Sequence, residues 1–141
     1  MERHALPYHA AYHERLRALG VKRFGFHICG EQNLNLPLFV HAPPWPHPSV
    51  LSFGHEVALE AAAGYFPKDI IYGNIEPAMI QTGTPNQIYE RCKAAIDEGR
   101  KAPGGFMLGP GCGLPVAAPP VNVYAMTRAV HDFGRYDDKA P

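Results

Sequence analysis

Val21-Lys22-Arg23-Phe24-Gly25-Phe26-His27-Ile28-Cys29-Gly30 is the stretch on which the reading of the fold turns. Its side chains alternate, so a strand from Val21 to Ile28 places Phe24, Phe26 and Ile28 on one face and Gly25, His27 and Cys29 on the other. The large apolar face needs helices to pack on, which leaves the second face at the inside or mouth of a sheet. A histidine and a thiol two residues apart at a strand end are candidate metal ligands. Cys112, in the turn Gly111-Cys112-Gly113, supplies a third. Zinc takes three such protein ligands and keeps a fourth position open when it is catalytic. Sulfur and imidazole donors also favour it over magnesium or calcium. From the residues alone, the alternative is a half-buried strand with incidental polar side chains and a turn cysteine of no special role.

Upstream of that strand, Pro7 to Leu19 reads as a helix with Tyr8, Tyr12, Leu16 and Leu19 at helical spacing, closed by Gly20. Downstream, residues 31–48 hold Pro37, Pro43, Pro44, Pro46 and Pro48, and read as a flexible connection without regular structure. Val50 to Phe53 is a short buried strand, and Glu56 to Phe66 a helix ended by Pro67. Asp69 to Tyr72 is the next strand, broken by Gly73-Asn74, and Pro77 to Gly83 forms a turn or short helix. Thr84-Pro85 opens another helix as N-cap and first residue, with Ile88, Cys92, Ala95 and Ile96 as its apolar stripe. Gly104 to Leu108 is a strand with Gly109-Pro110-Gly111 turning out of it. Pro120 to Phe133 is the last helix, carrying Val123, Met126, Val130 and Phe133. Strands alternating with helices imply a parallel sheet, here four strands or half of an eight-stranded barrel. His27, Cys29, Cys112 and Asn74 all lie at strand C-termini, where such folds place their sites.

Bulk properties narrow the partners. The chain has 141 residues, enough for one domain. Thirteen basic and thirteen acidic residues cancel without a basic stripe, which argues against nucleic acid. No apolar run is long enough to span a membrane, and Met1-Glu2-Arg3-His4 does not open a secretory signal. Three widely spaced cysteines argue against a disulfide scaffold and for a reducing, cytoplasmic setting.

At His27-Ile28-Cys29-Gly30, Gly73-Asn74-Ile75-Glu76-Pro77, Gly83-Thr84-Pro85, Gly104-Gly105-Phe106-Met107-Leu108, Gly111-Cys112 and Pro119-Pro120-Val121-Asn122-Val123-Tyr124-Ala125-Met126, the chain resembles the uroporphyrinogen decarboxylase superfamily. It looks most like the cobamide-dependent methyltransferase branch, whose members carry a His-x-Cys…Cys zinc motif. The resemblance covers nearly all of residues 1–141 but only the C-terminal portion of a usual member. It implies an α/β fold, about strands five to eight of a (β/α)8 TIM barrel, with His27, Cys29 and Cys112 as the zinc ligands. Cys29 and Cys112 stand 83 residues apart, as three intervening β/α units would produce. The implied activity moves a methyl group between a corrinoid on a partner protein and a zinc-activated thiol or similar acceptor. Decarboxylases of the family usually have a histidine where Cys112 stands, use no metal, and carry an arginine-rich N-terminal motif without counterpart here.

Two other functions remain at this point: a decarboxylase-like enzyme acting on a tetrapyrrole carboxylate, and a non-catalytic half-barrel that completes or binds a partner subunit. A full barrel takes about 250 residues, so the expected partners include a complementary half-barrel chain or a second copy, besides a corrinoid protein and a small-molecule substrate. Asn74, Glu76 and His55 are the candidate substrate-binding residues, with His41 and His47 flanking the proline-rich segment as weaker ones. Glu31 is either a fourth or supporting group at the metal or a capping residue. Cys92, Tyr124 and Met126 are expected in the core, His4, His9 and His13 in solvent, and Trp45 as a lid or a packing anchor.

Overall fold

The computed structural model describes residues 1–40 and 45–136; His41, Pro43 and Pro44 lie outside the described residues. Four strands, β1 (Gly25–Ile28), β2 (Val50–Phe53), β3 (Ile70–Ile75) and β4 (Phe106–Pro110), form one parallel sheet in the order β1-β2-β3-β4. Around them run α1 (Leu6–Ala18), α2 (Leu36–Val40), α3 (Leu59–Tyr65), α4 (Pro77–Thr82), α5 (Pro85–Gly99) and α6 (Pro120–Phe133). A doubly wound sheet reverses its strand order at a switch point. This one never does, so it is a partial (β/α) barrel, as the sequence implied.

Alternation along the strands separates two faces. Leu51, Phe53, Ile71 and Ile75 are fully buried against the helices, together with Val57, Ile88, Cys92 and Ala95. Phe53 stacks on Phe66 just beyond α3, with ring centroids 5.7 Å apart. Each large aliphatic side chain buried this way contributes about 1.5–3 kcal/mol. The other face carries a lateral row in register: His27 beside Ser52, Ser52 beside Tyr72, and Tyr72 beside Met107. Among the described residues the outer edges of β1 and β4 have no ladder partner.

Local chemistry explains most boundaries. Thr84 caps α5 in a reciprocal box: Gln87 N–H donates to Thr84 Oγ1, and Gln87 Oε1 accepts from Thr84 N. Ile88, Cys92, Ala95 and Ile96 form its buried stripe as expected.

Several elements differ from the sequence reading. Residues 33–40 are helical, a 3-10 turn (Asn33–Asn35) running into α2, because Pro37 falls in the first turn where its missing N–H has no partner to lose. Gly73-Asn74 does not break β3. The peptide between them is cis and Gly73 has φ +141°, yet pairing continues through Gly73, Asn74 and Ile75 to β4. Glycine alone adopts that φ readily. β4 likewise continues through Gly109-Pro110, since an edge strand tolerates a proline with no N–H to donate. α3 starts at Leu59 rather than Glu56, after a turn in which Val57 N donates to Gly54 O.

Burial also departs from expectation on the outer helices. Tyr8, Tyr12 and Leu19 of the first segment are exposed, whereas His13 is buried among Phe24, Phe26 and Trp45. On α6 the packed side is Asn122, Ala125, Met126 and Ala129, leaving Tyr124 and Val130 exposed.

Trp45 is a packing anchor. It is buried, and its Nε1 donates to Asp69 Oδ2 at 3.2 Å. The same carboxylate accepts from Ser49 N at 2.8 Å and meets His47 Nδ1 at 2.9 Å, tying the end of the proline-rich segment to the start of β3. No helix among the described residues is long and apolar enough to cross a membrane.

Candidate metal centre

The three candidate ligands come from opposite ends of the sheet. His27 lies on edge strand β1 and Cys29 just beyond it, whereas Cys112 follows β4, the other edge. They nevertheless converge: one ligand atom from each lies within 4.8 Å of the other two, and Cys29 Sγ is 3.5 Å from Cys112 Sγ.

The turn after β4 achieves this by running back over the rim. Gly111 N donates to Ile75 O at 2.8 Å, at the end of β3, and Gly111 then passes against the turn after β2. A Cβ at Gly111 would lie 2.8 Å from His55 N. One at Gly54 would lie 2.9 Å from Gly30 O and overlap the Glu56 carboxylate. Three backbones therefore cross closely at Gly30, Gly54 and Gly111, and the crossing carries Cys112 to Cys29. Any larger residue at Gly54 or Gly111 would push the loops apart.

Charge at the site follows from this packing. The Cys112 thiol, as hydrogen-bond partner and as a charge, holds the Cys29 thiol above its ordinary value, with smaller contributions from desolvation and the Glu56 carboxylate. A metal ion bound between two thiols takes the place of their protons, which are released on binding. Zinc fits the donor set. A tetrahedral ion with bonds of about 2.3 Å to sulfur sets two sulfurs about 3.8 Å apart, a small outward adjustment from the observed spacing. Cys92 is the contrasting case: buried on α5, its thiol is pushed up to about 11 by desolvation and is inert packing.

Around the three candidate ligands the rim is polar. His27 Nδ1 is 2.9 Å from Ser52 Oγ. His55 stands between two carboxylates, with Nδ1 3.5 Å from Glu56 Oε2 and Nε2 3.9 Å from Glu76 Oε1, all three partly open to solvent. Asn74 lies beside them, 2% exposed, with its amide nitrogen donating to Gly54 O and Val57 O while Oδ1 has no hydrogen-bond partner among the described residues. Glu31 closes a turn, its carboxylate accepting from Asn33 N and Nδ2.

The sequence reading missed Ser52, Glu56 and the glycine crossing. Ser52 could have been found as the polar residue on the His27 side of an apolar strand. Glu56 and Gly54 carry no such signal, because their role depends on which loops meet.

A family model described as uroporphyrinogen decarboxylase (URO-D) matches residues 1–133. Comparison with curated proteins gave no match. With nearly its whole length covered, and a parallel sheet in the order that family's barrel requires, the chain belongs to the uroporphyrinogen decarboxylase family.

Proposed function

We propose that His27, Cys29 and Cys112 hold a zinc ion and that the chain serves methyl transfer between a corrinoid on a partner protein and a thiol or similar acceptor. The observation that supports this most is the convergence of one imidazole and two thiols within 4.8 Å at an open rim. Zinc bound there would supply the Lewis acidity that lets an acceptor thiol lose its proton near neutral pH.

The chain's own residues set the conditions. Cys29 and Cys112 bind as thiolates and His27 as a neutral imidazole, so the ligand set contributes two negative charges and keeps the centre electron-rich. All three ligands are exposed, which leaves a side open for an acceptor. His55 and Glu76 stand on the same rim as groups that can orient a polar substrate or take up its proton, and Asn74 holds the loop that carries His55 in place. The proposed partners are a corrinoid protein and either a complementary half-barrel or a second copy. The free edges of β1 and β4 support the latter pair, since unpaired parallel edges favour strand addition.

Metal analysis of the purified chain tests the assignment. The wild type should carry close to one zinc per chain, and Cys29→Ser and Cys112→Ser should each lose most of it. Full zinc content in both variants would refute the site. Binding of a porphyrin carboxylate by the metal-free chain would favour the decarboxylase reading instead.

A further inference from the structure

We propose that Ser52 is the positioning residue of this centre: its Oγ accepts a hydrogen bond from His27 Nδ1–H and thereby directs Nε2 of that ring to Cys29 and Cys112 as the coordinating nitrogen. The inference rests on the zinc reading above and extends it to a residue outside the ligand set.

Three observations carry it. Ser52 is the direct lateral neighbour of His27 in the β1–β2 register, so the two side chains rise from the same face of the sheet. Its Oγ is 2.9 Å from Nδ1, and among the described residues this is the one side-chain hydrogen bond that either residue makes. Ser52 also sits between Leu51 and Phe53, both fully buried on the opposite face, at a half-buried position where a β-branched apolar residue would pack well. A hydroxyl at that position finds its polar partner in His27.

The chemistry then fixes the roles of the ring atoms. A neutral imidazole binds a metal through one nitrogen and carries its proton on the other, and that second N–H needs an acceptor to hold the ring still. If Ser52 donated to Nδ1 instead, the proton would lie on Nε2 and neither nitrogen would have a free lone pair for the ion. Metal binding therefore selects the tautomer in which Ser52 accepts. A serine oxygen does this without adding charge, whereas a carboxylate would raise the negative charge beyond that of the two thiolates.

The full chain, titrated with Zn2+ against a chromophoric chelator, tests the role. Ser52→Ala should weaken Zn2+ binding about 10–100-fold while still taking up one ion per chain. Ser52→Thr, which keeps the hydroxyl, should bind close to the wild type. Imidazole 15N NMR of the Zn2+-loaded wild type should show Nε2 coordinated and Nδ1 protonated, a readout that needs no variant to fold. Wild-type affinity in Ser52→Ala, or coordination through Nδ1, would overturn the role of Ser52 while leaving the zinc site standing. A wild type that binds no Zn2+ would overturn the zinc reading itself, and Ser52's role with it.

Discussion

Replacing Asp69 by alanine should destabilise the fold by about 4 kcal/mol, because two buried donors then lose their acceptor at once. The carboxylate is 1% exposed and receives Ser49 N at 2.8 Å, Trp45 Nε1 at 3.2 Å and His47 Nδ1 at 2.9 Å. Ser49 and Trp45 are themselves buried, so each stranded N–H costs about 1–3 kcal/mol. The His47 side chain is 45% exposed and can turn to water, so its loss adds little. Asp69→Asn keeps one oxygen for Ser49 N but sets an amide donor against the indole N–H, and should cost about half as much. Trp45 is the only tryptophan in the chain, which makes its fluorescence a direct reporter of this anchor. Urea titrations followed by that emission should give stability in the order wild type, Asp69→Asn, Asp69→Ala, with a red-shifted native spectrum for the alanine variant. An Asp69→Ala protein within about 1 kcal/mol of the wild type, with unchanged emission, would refute the reasoning.

Further expectations concern packing and pH. A Cβ at Gly104 would overlap the backbone of Asp69, so Gly104→Ala should cost at least about 1–3 kcal/mol in the same titration. A Cβ at Gly64 in α3 would meet none of the described residues outside its own helix turn within 4 Å, and Gly64→Ala should gain about 0.5–1 kcal/mol. Burial first, and then the charge of His9, hold His13 below the ordinary value of 6.5. The unfolded chain therefore takes up this proton before the folded one. His13's contribution to stability is whole above pH 6.5 and is lost as pH falls through the depressed folded value. Urea midpoints across about pH 5.5 to 7.5 should decline on the acid side, and less steeply in His13→Phe.

Sequence legibility varied with the range of the interaction. The strand at His27 and the helix capped by Thr84 were readable because alternation, capping and proline placement act over a few residues. Cys92 was readable as core for the same reason, lying on a stripe of helical period. His13 and Tyr124 were misjudged because polarity and aromaticity say which side chains could be buried, and not which side a neighbour covers. Trp45 was open between lid and anchor until its acceptor, Asp69, proved to lie 24 residues away.

For the site, the sequence by itself determined the candidate donor set and its placement at strand ends: His27 on the polar face of one strand with Cys29 just past its end, and Cys112 in a glycine-flanked turn after another. Those are properties of side-chain chemistry and local periodicity. Only the tertiary structure decided that candidate ligands at the ends of the two outer strands of the sheet meet at all. Their meeting depends on backbones crossing at Gly30, Gly54 and Gly111, and His27's orientation depends on a hydroxyl 25 residues away on β2. Contacts of that kind are made by strand register and the path of the loops, which no local pattern encodes.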